Sequence, residues 1–277
     1  MSHYRVAAVQ MVSTADVEPN LEAACRLVKQ AAAEGAMLAV LPEAFACADA
    51  TRAPELGRQE RTAGGPLRSF LAGLARDCSV FLVGGTIPVA DGVGSRFRAA
   101  CFLYAPDGAE LARYDKMHLF DVELPDEQQV YRESALVEPG ERVVSAELPC
   151  GSLGLAVCYD LRFPELFRVL QQRGLDLLAL PSAFTRHTGA AHWHVLLRAR
   201  AIENQCFVIA PNQGGRQSAR RESWGGSAII DPWGRVLASA ALGEAVLVAD
   251  IDRELLAEVR RRLPVLAHRR LETPDSR

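Results

Sequence analysis

Two stretches of this chain repeat one another. Glu34-Gly-Ala-Met-Leu-Ala-Val-Leu-Pro-Glu-Ala-Phe45 aligns with Arg173-Gly-Leu-Asp-Leu-Leu-Ala-Leu-Pro-Ser-Ala-Phe184. Each copy follows a segment of helical period, and each of those segments follows an apolar run carrying Ala-Val, at Ala8-Val9 and again at Ala156-Val157. The pattern predicts two similar β-α-β units, hence two sheets or half-sheets related by a pseudo-twofold. Open α/β folds place their sites at strand carboxyl ends. The ends carrying Glu43, Cys158 and Ser182 are therefore expected to meet near that axis.

The other periodicities fill in the frame. Strands are expected over 5–12, 37–41 and 80–87, and helices over 20–35 and 66–78. A hairpin is expected from 98–105 and 110–116 around Pro106-Asp107-Gly108. Residues 121–140 form a polar, proline-containing connection with little period, a length usually reserved for function or disorder. Beyond the strand ending near Val157 come helices over 164–173, 192–204 and 253–262, and strands over 175–180, 207–211, 227–230 and an interrupted 235–250. Nothing reads as a linker, so residues 1–277 are expected to form one α/β domain.

Composition removes several classes of function. A net charge of −3 leaves no electrostatic footprint for nucleic acid. No segment is apolar enough for a bilayer span, and Met1-Ser2-His3-Tyr4-Arg5 enters a strand pattern without a leader's apolar region. A cytoplasmic location is the expectation. Seven cysteines without a CxxC pair argue against a disulfide framework or a cysteine-rich zinc site. Lys29 and Lys116 are the only lysines among 31 basic residues. An arginine-rich chain that keeps a lysine at 116 suggests a need for a compact amine of tunable pKa.

Cys158 ends the apolar run 153–157, and a helix start follows with Pro164 and Glu165 in its first turn. Such a junction gathers orphan backbone N–H groups and the positive end of a helix dipole, which favours a thiolate and an oxyanion. By itself, a lone cysteine is more often a small buried hydrophobe. Glu43, directly after Pro42, is a candidate general base and acid. Lys116, in Tyr114-Asp115-Lys116-Met117-His118-Leu119-Phe120, is a candidate oxyanion partner. His118, His187, His192 and His194 keep a Cys-His pairing open. A metal site is not expected, because His192 and His194 diverge on a segment of helical period.

Three of these stretches resemble the signatures of the nitrilase, or carbon–nitrogen hydrolase, superfamily. They are Leu41-Pro42-Glu43, Tyr114-Asp115-Lys116-Met117-His118-Leu119, and Val157-Cys158-Tyr159-Asp160-Leu161-Arg162-Phe163-Pro164-Glu165, in the family's order. The resemblance implies a four-layer α-β-β-α sandwich, a homodimer or higher oligomer formed across helices, a small-molecule amide substrate, and no metal or other cofactor. It assigns Cys158 as nucleophile, Glu43 as general base and Lys116 as oxyanion-stabilising lysine. Glu133, in Tyr131-Arg132-Glu133-Ser134, matches the family's second glutamate, and the Tyr159 backbone N–H matches its other oxyanion donor.

Within the superfamily, Phe120-Asp121-Val122-Glu123, Thr188-Gly189, Leu197-Arg198-Ala199-Arg200-Ala201-Ile202-Glu203 and Asp231-Pro232-Trp233-Gly234 resemble the Nit branch. That branch includes omega-amidases and deaminated glutathione amidases. Ser182-Ala183-Phe184 and Gln213-Gly214-Gly215-Arg216 look closer to the latter, which release alpha-ketoglutarate and cysteinylglycine. Substrates of both kinds bear carboxylates, so Arg162, Phe184, Thr185, His192 and Arg216 are the expected substrate-binding residues. The chain departs from the branch at Arg186-His187 and Pro211-Asn212.

Overall fold

The computed structural model describes residues 3–62, 64–91 and 96–271. Its first half runs β1 (His3–Gln10), α1 (Val17–Ala33), β2 (Leu38–Val40), α2 (Ala53–Gln59), α3 (Pro66–Cys78), β3 (Phe81–Val83), β4 (Ile87–Val89), β5 (Arg98–Tyr104) and β6 (Glu110–Asp115). A short hairpin follows, β7 (Asp121–Glu123) and β8 (Val130–Arg132). The second half runs β9 (Ser145–Leu148), β10 (Gly151–Leu155), α4 (Pro164–Gln172), β11 (Leu177–Ala179), α5 (Arg186–Asn204), β12 (Phe207–Ala210), β13 (Ala228–Ile230), β14 (Val236–Ser239), β15 (Ala245–Asp252) and α6 (Arg253–Arg262).

The repeat appears as two parallel crossovers. β1 pairs with β2 through Val6 and Leu38, and β10 pairs with β11 through Leu153 and Leu177. Each pair lies inside its own sheet. The first sheet has the order β15-β1-β2-β3-β5-β4 with β6 on β5, and the second the order β14-β13-β12-β11-β10-β9.

Strand alternation explains how the layers stack. Val6 and Ala8 of β1, with Leu38 and Val40 of β2, enter a core shared with Leu153, Leu155 and Leu177 of the second sheet. Their neighbours Ala7, Val9, Ala39 and Leu41 point the other way, against Leu27 and Val28 of α1 and Leu71 and Leu74 of α3. On the far side of the second sheet, Phe167 and Leu170 of α4 and Trp193 and Leu197 of α5 close the core. The result is an α-β-β-α sandwich. Each of these fully buried leucines contributes roughly 1.5–3 kcal/mol through transfer from water.

Five elements differ from the expectation. The strand over 80–87 is two strands, β3 and β4, because the chain turns at Gly85. There φ is +60°, and an added Cβ would collide with the Pro42 carbonyl oxygen. Helix α5 begins at Arg186 rather than 192, since Thr185 caps it by accepting from the Thr188 N–H. The stretch 235–250 divides between sheets, β14 pairing with β13 and β15 with β1, so 240–244 cross from one layer to the other. The connection 121–140 is ordered by the β7–β8 pair and a 3-10 turn, Glu133–Ala135. Helix α2 was not expected: it is one short element with no side-chain N-cap bond. No helix among the described residues is long and apolar enough to cross a membrane.

Candidate active site

Glu43, Lys116 and Cys158 each sit just past the end of a strand. Glu43 lies three residues beyond β2, and Ala44 after it adopts φ +55°, its N–H donating to Thr86 Oγ1 at 2.9 Å. Lys116 directly follows β6. Its N–H donates to Ala99 O at 3.0 Å and its carbonyl accepts from the Gly140 N–H at 2.9 Å. Cys158 opens a 3-10 turn, Cys158–Arg162, with φ +48° and its N–H donating to Pro181 O at 3.0 Å.

Among the described non-glycine residues with positive φ, Ser79 and Gln205 cap helices and Gln129 turns a hairpin. Ala44 and Cys158 have no such reason. A left-handed conformation costs roughly 1–2 kcal/mol for a residue with a Cβ, and here both fall at the same site, as strain at functional positions does.

The side chains meet in a buried cluster. Lys116 Nζ donates to Glu43 Oε1 at 2.8 Å and to both Glu133 oxygens, at 2.8 and 2.9 Å. Glu43 Oε2 accepts from the Ala183 N–H at 2.9 Å, and its carboxylate faces the Cys158 thiol. Glu133 Oε2 accepts from the Phe120 N–H at 2.6 Å. The Ala183 contact joins the two copies of the repeat, the second copy's Pro-Ser-Ala holding the first copy's glutamate.

Electrostatics follow from this packing. Burial alone would raise the Glu43 carboxyl, but the Lys116 ammonium and the bonds from Lys116 and Cys158 outweigh it and hold the group below its ordinary range. Burial opposes charge on Lys116 as well, yet Glu133 and Glu43 keep the amine charged well above its usual pKa. Cys158 is pushed well above the ordinary thiol range, first by burial and then by the facing Glu43 carboxylate, against the pull of Lys116. The resting group is a thiol facing a carboxylate. This reverses the expectation of a thiolate from the strand-to-helix junction: the turn there is one short 3-10 element, and burial followed by the Glu43 carboxylate favours the thiol.

A second buried cluster fixes the turn. Asp160 is wholly buried and accepts from Tyr114 Oη at 2.8 Å, Val157 N–H at 2.8 Å and His118 N–H at 3.0 Å, with His118 Nδ1 at 2.7 Å. Tyr114 and His118 flank Lys116, so one carboxylate ties the lysine's strand to the cysteine's turn. His118 stacks on Phe163 with centroids 3.7 Å apart. This accounts for His118 without a Cys-His pair.

The cluster opens into a cavity of about 230 Å³, lined among others by Phe120, Tyr131, Phe184, Thr185 and Arg221. It is slightly smaller than the roughly 300–1,000 Å³ common for small-molecule sites. No histidine lines it among the described residues.

A sequence profile of the carbon-nitrogen hydrolase family matches residues 5–261. The chain belongs to the carbon–nitrogen hydrolase family. It is 44% identical over 274 residues to the deaminated glutathione amidase of Synechocystis sp., covering 97% of this chain and 99% of that one. It is 37% identical over 271 residues to the omega-amidase NIT2 of Homo sapiens, covering 98% and 96%. The crystal structure of the C. elegans NitFhit protein superposes with a TM-score of 0.89 at 35% identity, over 98% of this chain and 66% of that one. The chain is thus an enzyme acting on carbon–nitrogen bonds.

In this carbon–nitrogen hydrolase, Glu43, Glu133, Lys116, Cys158, Tyr159, Phe184 and Thr185 come together around the cavity. Three other expected residues do not line it. Arg162 lies behind the rings of Phe184 and Tyr159, 5.0 and 5.7 Å from their centroids, with Nη1 3.2 Å from His192 Nδ1. His192 is thereby turned toward Arg162. Arg216 pairs with Glu127 at 3.2 Å and Glu222 at 3.3 Å, bracing two loops together. Sequence reasoning missed Asp160 as the clamp and Arg221 as a lining residue. Asp160 stood in a quoted motif but its partners come from another strand, while Arg221 is one of three arginines within 216–221 that no spacing rule separates.

Proposed function

We propose that this chain is a thiol-dependent amidase acting on a small amide that bears carboxylates, and that its substrate is deaminated glutathione, split to alpha-ketoglutarate and cysteinylglycine. The observation that carries the chemistry is the single Lys116 ammonium held between Glu43 and Glu133 beside the Cys158 thiol. As the sulfur attacks the amide carbonyl carbon, Glu43 takes the thiol proton. The new oxyanion is held by the Lys116 ammonium and the Tyr159 N–H. Glu43 returns the proton to the departing amine as the C–N bond breaks, leaving a thioester. Water then attacks with Glu43 again as base, and the C–S bond breaks as the thiol is restored. Glu133 keeps Lys116 in place and charged throughout. The reading of substrate leans on the 44% identity to the Synechocystis amidase across nearly the whole of both chains.

Purified protein offered deaminated glutathione and alpha-ketoglutaramate in parallel is expected to prefer the first by about a hundredfold in kcat/KM, a difference of about 2.7 kcal/mol in transition-state binding. The reverse preference assigns the omega-amidase reaction, the reading that the similarity to human NIT2 favours. Turnover of neither, with Cys158 still alkylated by iodoacetamide, discards the substrate.

The protein is further read as one domain, as a homodimer, and as cytoplasmic. Seven unbridged cysteines and a reaction that needs a reduced thiol suit a reducing compartment. Val195 and Ile202 lie two turns apart on the outer face of α5, and with Trp233 they leave an apolar surface exposed. Sedimentation at micromolar concentration is expected to give twice the 30.1 kDa chain mass, and Val195→Glu to shift it toward monomer. A wild-type protein that sediments as monomer refutes the dimer.

A further inference from the structure

The cavity's charges are almost all spoken for. Lys116 is held by its two glutamates. Arg132 pairs with Glu123 at 2.8 Å, and the Tyr131 hydroxyl donates to Asp126 at 2.9 Å. The Thr185 and Thr188 hydroxyls bond each other at 2.8 Å. Arg221 differs. Among the described residues it is the one cation lining the cavity that has no carboxylate partner, and its Nε is buried without a hydrogen bond. A buried N–H of a charged group that lacks an acceptor carries a cost that a bound anion repays, since hydrogen bonds to charged groups contribute more than neutral ones.

Its placement is fixed by the backbone rather than by chance exposure. Gln217 and Ser218 N–H groups donate to the Arg221 carbonyl at 3.0 and 3.2 Å, and the Arg221 N–H donates to Ser218 Oγ at 3.1 Å. Arg216 and Glu222 pair across the base of this turn, and Arg186 of α5 holds Glu222 from outside at 2.8 Å. The turn's other arginines therefore do structural work or face solvent, as Arg220 does. Arg221 alone is delivered to the cavity. Arg221 lines the cavity together with Glu43 and Tyr131, and its charge acts on both.

We infer that Arg221 is the specificity-determining residue of this site, receiving a carboxylate of the amide substrate through its planar guanidinium. The inference rests on the amidase reading above and names what that site selects: an anionic amide over a neutral one of the same length. A guanidinium offers paired donors in the plane of a carboxylate, a match an amine lacks.

The test compares kcat/KM for glutaramate with that for the neutral pentanamide, in wild type, Arg221→Gln, Arg221→Lys and the solvent-facing control Arg220→Gln. The charged-to-neutral ratio is expected to fall about a hundredfold in Arg221→Gln, mostly through KM, to recover partly in Arg221→Lys, and to hold in Arg220→Gln. N-butanoylglycine, whose carboxylate is on the leaving amine, is run beside glutaramate. A loss confined to one of the two locates the carboxylate at the acyl or the leaving end.

Alkylation of Cys158 gives a readout free of any assumed substrate. The rate with iodoacetate relative to iodoacetamide is expected to drop about tenfold in Arg221→Gln. A ratio unchanged in both the kinetic and the alkylation measurements overturns the inference. If deaminated glutathione is not turned over but the alkylation ratio falls, the substrate assignment fails and the role of Arg221 stands.

Discussion

Cys158→Ala is expected to lower kcat by about 100,000-fold or more, and Glu43→Gln by about a thousandfold, with the two variants distinguished by what their thiols do. In the wild type the thiol is held in its protonated form by burial and by the Glu43 carboxylate. In the proposed mechanism the sulfur must therefore lose its proton as it attacks, and Glu43 is the acceptor that faces it. A glutamine at 43 keeps the shape and the contact with the Ala183 N–H, but accepts no proton. It also removes the negative charge that opposes a thiolate while Lys116 remains. Iodoacetamide is then expected to label Cys158 in Glu43→Gln at least as fast as in wild type, although turnover is lost. Retention of more than a tenth of wild-type kcat would show that Glu43 is not the base. Failure of a folded Glu43→Gln to be labelled would show that the carboxylate only places the thiol.

The same geometry sets the pH profile. The proposed mechanism needs Glu43 ionised, and its carboxyl is held below its ordinary value of 4.5. Cys158 and Lys116 must keep their protons at rest and both are held above their ordinary 9.0 and 10.5. kcat/KM is therefore expected to stay level from about pH 6 to about pH 8.5. The pair shares one proton, so the limbs belong to the pair rather than to either residue. An acidic limb near pH 6.5 would instead point to a histidine.

What the sequence disclosed and what it withheld divide along one physical line. Glu43 and Cys158 were legible because each follows an apolar run, and strand ends converge in a β-α-β architecture whatever the loops do. Lys116 instead follows the mixed strand Glu110–Asp115 and was legible as one of two lysines in an arginine-rich chain. The two-sheet frame was legible because Val6 to Val9 and Leu38 to Leu41 are apolar at every position, which only a strand covered on both faces tolerates. The protonation state of Cys158 was not, since the nearest charge comes from the other copy of the repeat and a local dipole argument cannot see it. Arg216 drew attention while Arg221 did the reaching, because which side of a tight turn faces inward depends on the Arg216–Glu222 pairing across its base. The split of 235–250 between two sheets was hidden for a related reason. Both β14 and β15 have strand composition, and only their partners decide the layer.

Lys116→Met carries the second large effect, and its signature is a reversal in how stability responds to pH. In the wild type, Glu43 has its pKa lowered on folding, so its contribution is complete above its unfolded value near 4.5 and is lost as pH falls through the lower folded value. Lys116 has its pKa raised, so its contribution is complete below its unfolded value near 10.5 and is lost as pH rises through the higher folded one. Both are therefore present between about pH 5 and pH 10. Methionine fills much of the same space but leaves Glu43 and Glu133 facing one another with no cation between them. Burial, which in the wild type is outweighed by Lys116, then prevails and lifts the Glu43 carboxyl above its unfolded value.

A group whose pKa is raised on folding stabilises at low pH and loses that contribution as pH rises. Urea denaturation is thus expected to find the variant destabilised by roughly 3–5 kcal/mol at pH 8, the cost of removing one partner from a buried ion pair, and by much less at pH 5. A loss that is the same at both pH values would mean that Lys116 holds the site by packing rather than by charge. In catalysis the same substitution removes the ammonium proposed to meet the oxyanion, and kcat is expected to fall by about a hundred- to a thousandfold. Arginine is not expected to rescue it. The lysine nitrogen lies within 2.9 Å of three carboxylate oxygens at once, and a planar guanidinium cannot occupy that point without separating the two glutamates whose facing carboxylates keep the cation there.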